Sequence, residues 1–302
     1  MTVGIPRALA YYRYGALWEA FLRELSVNYV LSEETHQGLI TEGAHHTVDE
    51  SCLPAKLYMG HISSLVGRCD LILVPRLYRL GKQEEFCVRF WGLHDMVRLT
   101  FPKVRLLSYQ LRRAQTSHEM IGFLNMGRML GKGMNTTIKA YCAAKAYQQA
   151  KINESLQKGQ ARLSQSGPKV LIAAQSYISR DPFLGGVVAR LVCEQGGVPL
   201  FTDDWRASEC LPCSAEISKD LYWIANREIL GALQLARGFV DGVILLTAFP
   251  CGSDCLVNEL ILRRVNDLPV TQIIMDEQQG SEGLQTRIES FMDMMIARVY
   301  RQ

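Results

Sequence analysis

The stretch Val243-Ile-Leu-Leu-Thr-Ala248-Phe-Pro-Cys251-Gly-Ser-Asp-Cys255 decides the reading of the fold. Its first part is a nearly continuous apolar run without polar alternation. Such a run reads as a strand buried on both faces, the pattern of a parallel sheet covered by helices. Pro250 and Gly252 then break the run, and a helical pattern follows from Cys255 to Val265. A buried strand running straight into a helix is half of a βαβ unit.

Working outward from this stretch, the same alternation recurs on both sides. Downstream, Val270–Met275 reads as a strand and Glu282–Tyr300 as a closing helix. Upstream, Val170–Ala174 and Val198–Thr202 read as strands. Between them lies a helix over Pro182–Glu194, ended by Gly196-Gly197, and Ile217–Leu235 reads as a long helix. The N-terminal third repeats the theme. Strands are expected at Val3–Ile5, Tyr29–Ser32, Leu71–Pro75 and Val104–Ser108. Helices are expected at Ala8–Leu25, Gly38–Ala44, Ala55–Val66 and Gly92–Leu99. Residues 117–160 differ: they hold no proline and are rich in Ala, Lys, Gln, Met and Leu, so they read as two helices broken near Gly131-Lys132-Gly133. Ser164-Gln-Ser-Gly-Pro168 reads as a linker. The expected fold class is α/β, with two Rossmann-like parallel-sheet domains joined by a helical segment. The expected divisions are 1–115, 116–165 and 166–302.

Composition excludes several classes. The chain has 302 residues, 48% of them hydrophobic and 21% charged, which is enough to bury a full core. No run of 18 uncharged apolar residues is present, so no membrane span is expected. The start, MTVGIPRALAYY, lacks a signal-peptide pattern, and a cytoplasmic location is expected. A net charge of +3 does not suit a dedicated nucleic-acid binder. Neither a G-x-G-x-x-G after a strand nor a P-loop is present.

Nine cysteines, an odd number, exclude a fully paired disulfide set and favour reduced or metal-bound thiols. In open parallel sheets, ligand sites lie at the carboxyl ends of strands. Cys251 follows the strand Val243–Ala248, Cys87 lies in the loop after Leu71–Pro75, and Cys52 directly precedes a helix that Pro54 suits. All three are placed near helix N-termini, where free N–H groups stabilise thiolates and anionic clusters. Cys142 and Cys193 fall in helical patterns and read as small packed hydrophobes, as does Cys69 at a strand start. Cys210-Leu-Pro-Cys213 and Cys251-Gly-Ser-Asp-Cys255 form two close pairs. Cys210, Cys213, Cys251 and Cys255 are thus a candidate zinc set, with an iron–sulfur site or a redox pair as competing readings. Asp254 and Glu50 beside the cysteines read first as helix caps, with an acceptor behind the metal ligands or a proton donor as the other reading. His45 and His46 read first as solvated loop residues, with metal ligation as the other reading.

Together these segments resemble the activase-related iron–sulfur proteins of the 2-hydroxyacyl-CoA dehydratase and benzoyl-CoA reductase superfamily. The resemblance rests on Val3-Gly-Ile-Pro-Arg-Ala-Leu9 with Tyr12, Tyr14-Gly15 and Trp18, and on three cysteine motifs. These are Val48-Asp-Glu-Ser-Cys52-Leu-Pro54-Ala-Lys56, Phe86-Cys87-Val-Arg-Phe90-Trp-Gly92-Leu-His-Asp95-Met96 and Phe249-Pro-Cys251-Gly252-Ser-Asp254. A C-terminal signature, Asp276-Glu-Gln-Gln-Gly280-Ser-Glu-Gly283-Leu-Gln-Thr286-Arg287, completes it, so that the match runs from about residue 3 to residue 295. Departures from the family pattern are Val88 and His94 in place of prolines, Cys255 in place of serine, and Gln175-Ser176-Tyr177 in place of His-Pro-Tyr.

The resemblance implies that Cys52, Cys87 and Cys251 bind an iron–sulfur cluster of the 4Fe–4S type, with Cys255 a candidate extra ligand and a double-cubane cluster the larger variant. It implies an oxygen-sensitive protein for low-potential electron transfer or reductive chemistry, a reductase or dehydratase component with no catalytic residue assigned. The implied partners are an ATP-hydrolysing activase, a second copy or paralogous subunit, and an acyl-CoA or other small ligand. Arg13, Arg76, Lys56 and Arg89 near the motif loops are candidates for its phosphates or for plain solvation. The alternative remains a non-catalytic module with zinc on Cys210, Cys213, Cys251 and Cys255.

Overall fold

The computed structural model describes residues 1–80, 84–112, 116–278 and 281–299. Gln279, Gly280 and Tyr300, named above in the C-terminal signature and closing helix, lie outside the described residues. The chain divides into two compact units, one of Met1–Ile152 with Tyr222–Ile224, the other of Asn153–Leu221 with Ala225–Gln302.

In unit 1 the order is β1 (Thr2–Ile5), α1 (Tyr11–Glu24), β2 (Asn28–Leu31), α2 (Gln37–His45), α3 (Leu53–Leu65), β3 (Leu71–Leu73), β4 (Arg76–Leu77), α4 (Val88–Thr100), β5 (Leu106–Leu107), β6 (Gln110–Leu111) and α5 (Thr116–Met129). The helix α6 (Met134–Leu163) begins here and runs on past the division between the units. The main sheet has the order β2-β1-β3-β5 with all pairs parallel; β4 and β6 form a small parallel pair beyond it. Val3, Ile5, Ile72 and Leu73 are buried in the sheet, and Leu17, Trp18 and Phe21 bury the inner face of α1. Phe123 of α5 packs against Phe21, Tyr109 and Tyr141, which seats α5 and α6 on this core.

In unit 2 the order is β7 (Lys169–Ala173), α7 (Ser176–Ser179), α8 (Gly185–Glu194), β8 (Val198–Phe201), α9 (Ala207–Cys213), α10 (Ile224–Ala236), β9 (Gly242–Ala248), α11 (Gly252–Arg264), β10 (Val270–Met275) and α12 (Ser281–Val299). The sheet order is β10-β9-β7-β8, again all parallel. β9 is buried along its whole length, as its unbroken apolar run demands. Each unit thus places its first strand between its second and third. The chain winds outward from that strand in one direction and then returns past it, which is the Rossmann-like α/β architecture.

Several local expectations give way to detail. The expected helix Ile217–Leu235 begins only at Ile224, as α10: residues 217–223 run as turn and extended backbone, and the short helix α9 before them was not expected. The expected helix Pro182–Glu194 starts at Gly185, after the separate turn α7. Asp181 explains the break: its carboxylate accepts the backbone N–H groups of Phe183 (2.9 Å) and Leu184 (3.0 Å). Helices α4 and α11 start earlier than their patterns suggest, immediately after Cys87 and Cys251.

Two features of unit 1 give checks on stability. Helices α2 and α3 cross at glycines: a Cβ on Gly60 would lie 2.0 Å from the Leu39 carbonyl oxygen, and one on Gly43 1.8 Å from that of Lys56. Backbone cannot yield as a side chain would, so Gly60→Ala should destabilise unit 1 by about 1–3 kcal/mol in urea unfolding, and a change under about 0.5 kcal/mol would contradict this packing. His61 of α3 is fully buried, its ring hydrogen-bonded to Ser32 Oγ (2.8 Å) and Thr35 Oγ1 (3.3 Å). Burial, with Arg7 and His36 adding to it, pushes its pKa down to about 3. The unfolded chain takes up this proton near pH ~6.5 while the folded chain refuses it, so stability should fall as pH drops from ~6.5 toward 3. The slope should approach ~1.4 kcal/mol per pH unit, and His61→Gln should flatten it by about one proton; an unchanged acid limb would refute the assignment.

Candidate functional site

The three cysteines singled out from the sequence share one local geometry. Each stands at the N-cap of a helix: Cys52 before α3, Cys87 before α4 and Cys251 before α11. Their φ/ψ values are −64/146, −54/144 and −100/105, so all three have extended backbones turning into a helix. None of the three thiols caps its helix by a hydrogen bond, and all three are half-buried. In parallel βαβ topology the helix N-termini lie on the side of the strands' carboxyl ends, which puts each cysteine there in its own unit.

The surroundings of each loop are specific. In unit 1, Pro54 opens α3 right after Cys52, and the buried Lys56 ammonium donates to the Asp49 carbonyl (2.8 Å), tying the Val48–Ser51 loop to the helix it precedes. Ser51 is buried with its hydroxyl unpaired. The Cys87 loop is held through Glu85, whose N–H donates to the Tyr222 carbonyl (2.8 Å) and whose carbonyl accepts from Ile224 N–H (2.9 Å). Trp91 Nε1 donates to the Tyr78 carbonyl (3.1 Å). Arg76 grips Asp95 with two bonds of 2.7 Å and donates to His94 Nδ1 (2.8 Å), so that this cation is engaged in fixing α4. The Asp95 carboxyl is held below its usual range by Arg76. His94 therefore takes over a structural bond at the position where the family pattern has a proline.

In unit 2, Cys251 follows the cis Phe249–Pro250 peptide. Its Sγ lies 3.5 Å from Ser253 Oγ, and burial, with the Asp254 carboxylate beside it, pushes the thiol well above its usual range. Asp254 is not a helix cap, contrary to the first reading of its position. Its Oδ1 accepts from Gln175 Nε2 (2.7 Å) and Asn226 Nδ2 (2.8 Å), and its Oδ2 from Thr247 Oγ1 (3.1 Å). Glu50 is exposed. His46 pairs with Glu42 (3.0 Å) and packs on Phe101 rather than serving in a ligand group, and Arg287 donates to the Gln272 carbonyl.

The remaining cysteines part company. Cys142 and Cys193 are exposed on α6 and α8, not packed as expected, because both fall on the outward face of their helix. Cys69 is half-buried, donating to the Leu65 carbonyl (3.3 Å), and Gly4 leaves the space its sulfur fills. Cys210 is buried within α9, and burial pushes its thiol up to about 12. The backbone of Gly231 in α10 presses on it: a Cβ there would lie 1.9 Å from the Cys210 carbonyl oxygen. Cys255 is exposed and Cys213 half-buried. Within unit 2, among the described residues, Cys210, Cys213, Cys251 and Cys255 are not gathered as a metal site requires, so the zinc set read from the two spacings is not built.

Gln175 was visible in the sequence only as a departure from the family's His-Pro-Tyr, and Asn226 and Thr247 carried no local signal. Their role appears only when three elements of unit 2 are brought together around Asp254. Among the described residues, no helix is long and apolar enough to cross a membrane.

No curated protein matches the chain. A family model, the CoA enzyme activase uncharacterised domain (DUF2229), matches residues 2–204, about two thirds of the chain. The match spans β1 through β8, including the helices that Cys52 and Cys87 begin, and stops before Cys251. The chain, with its parallel-sheet units and N-cap cysteines, belongs to the CoA enzyme activase domain family, related to the activase and dehydratase systems.

Proposed function

We propose that this protein is an iron–sulfur component of a CoA-enzyme activase and dehydratase system, in which Cys52, Cys87 and Cys251 are the cluster ligands. The observation that carries the reading is their shared position: three half-buried thiols, each at a helix N-cap with an extended backbone and no capping bond of its own. The donor set suits the group. Thiolates are the soft ligands that select iron–sulfur clusters, and helix N-termini with free N–H groups favour the negative charge that thiolates and cluster carry. The buried cation of Lys56, one turn into the helix begun by Cys52, adds to that preference. A 4Fe–4S cluster held here would supply one-electron chemistry at low potential.

The chain's own residues do the rest. Lys56 and Glu85 fix the loops that present Cys52 and Cys87, and Asp254 fixes the turn that presents Cys251. The finer reading is that electrons arrive from an ATP-hydrolysing activase, because neither Walker A nor dinucleotide fingerprint is found in this sequence. A second similar subunit would cover the cluster and limit its contact with oxygen, and an acyl-CoA is the ligand class such a pair would reduce or dehydrate. Reduced thiols in an odd number fit a cytoplasmic setting.

Protein purified without air should be brown, contain iron and acid-labile sulfide, and bleach on exposure to oxygen. Cys52→Ala, Cys87→Ala and Cys251→Ala should each lose most of the iron and sulfide, whereas Cys142→Ala and Cys193→Ala, at exposed positions, should keep both. Stoichiometric zinc without sulfide, or iron unaffected by all three ligand substitutions, would overturn the proposal.

A further inference from the structure

Asp254 is a buried carboxylate with an unusual set of partners. It is 3% exposed, and its hydrogen-bond donors are the uncharged Gln175, Asn226 and Thr247, themselves 6%, 1% and 1% exposed. A buried charge facing only neutral donors is costly to keep unless its bonds are complete. Here both oxygens are engaged, and the N-terminus of α11 adds a favourable dipole. Donors pointing inward from three sides also leave this carboxylate unsuited to a cation.

The origin of those donors matters more than their number. Gln175 follows β7, Thr247 is near the end of β9, and Asn226 lies in the first turn of α10. β7 and β9 are the neighbours between which the winding of the sheet reverses, where the carboxyl ends of an open parallel sheet leave a crevice. Asp254 therefore fastens the first turn of α11 to both sides of that crevice. Cys251 is the N-cap of the same turn, and its carbonyl accepts from Cys255 N–H (3.0 Å). An aspartate here could have capped the helix; instead it bonds residues 79 and 28 positions away in the sequence.

We propose that Asp254 is a positioning residue for Cys251: bonded to Gln175, Asn226 and Thr247, it holds the first turn of α11 so that the thiol is presented in one place before any cluster is bound. The proposal deepens the function proposed above and rests on Cys251 being a cluster ligand. Outer partners of this kind typically change metal affinity about 10–100-fold.

The test uses the full chain, first metal-free and then reconstituted without air with ferrous iron and sulfide. In the metal-free protein, Asp254→Ala should raise hydrogen–deuterium exchange in residues 251–256 about tenfold, with residues 52–57 and 87–92 unchanged. The exchanged pair Asn226→Asp with Asp254→Asn, which restores a carboxylate–amide bond from the opposite side, should return exchange toward wild type. On reconstitution, Asp254→Ala should need about tenfold more iron and sulfide for half-loading. Val192→Ala, a core truncation in α8 that destabilises unit 2 elsewhere, should load as wild type does. If Asp254→Ala does not fold, Gln175→Ala and Asn226→Ala, each removing one donor, should show the same local effect at smaller size. Unchanged exchange in residues 251–256, an equal rise around all three cysteines, or equal loading loss in Val192→Ala would overturn the proposal. A wild-type chain that takes up no iron, while Asp254→Ala still loosens only the α11 turn, would instead refute the cluster reading and leave the local fastening intact.

Discussion

Parallel pairing is the constraint on which the rest of this molecule depends. Two parallel strands cannot be joined by a tight turn; the chain must cross over, and the crossover is a helix. Every such helix starts on the side where the strands end. In both units the main sheets are wholly parallel, so their helix N-termini, with unpaired N–H groups, collect along one edge of each sheet. Cys52, Cys87 and Cys251 stand at three of those termini. The chemistry proposed for them uses the anion-favouring positions that this topology provides.

The units repeat one plan more closely than their sequences suggest. Each orders its strands with the first between the second and third, and each follows its third strand with a helix whose N-cap position is a cysteine, Cys87 or Cys251. The helices before the third strand also correspond. α3 and α10 are both 13 residues long, and the eighth residue of each is a glycine crossing a neighbouring helix. Gly60 lies against the Leu39 carbonyl of α2, and Gly231 against the Cys210 carbonyl of α9. In this correspondence Cys210 takes the packing position of Leu39, and Trp223 stands directly before α10 where Cys52 stands directly before α3. Cys210 is therefore a small apolar residue at a helix crossing, and its high thiol pKa and burial agree with that role.

What the sequence made legible is what burial writes into composition. The strands at Val3–Ile5, Leu71–Leu73 and Val243–Ala248 are apolar on account of their place in a covered sheet, and the alternation with helices is readable for the same reason. Helix α9 was not legible: Ala-Ser-Glu-Cys-Leu-Pro-Cys is short, contains a proline and lacks an apolar period. Strands β4 and β6, two residues each, are too short to carry any period. Cys142 and Cys193 show the limit of arguing from residue type. Free cysteine is usually buried, yet the face a residue occupies is set by the helix's contacts and not by its chemistry.

The candidate site divides along the same line. The N-cap positions of the cysteines follow from local order along the chain, strand then turn then helix, and were therefore readable. What holds those turns in place was not, because it is made by side-chain contacts that the local order does not announce. Asp254 looks like a cap from its neighbours alone, and only the fold brings Gln175, Asn226 and Thr247 around it. Lys56, four residues past Cys52, reads as a surface cation from composition, yet its ammonium is buried on the Asp49 carbonyl. Both are charged groups that the fold takes out of water next to a cysteine turn, and each offsets that cost with hydrogen bonds that tie the turn to the rest of its unit.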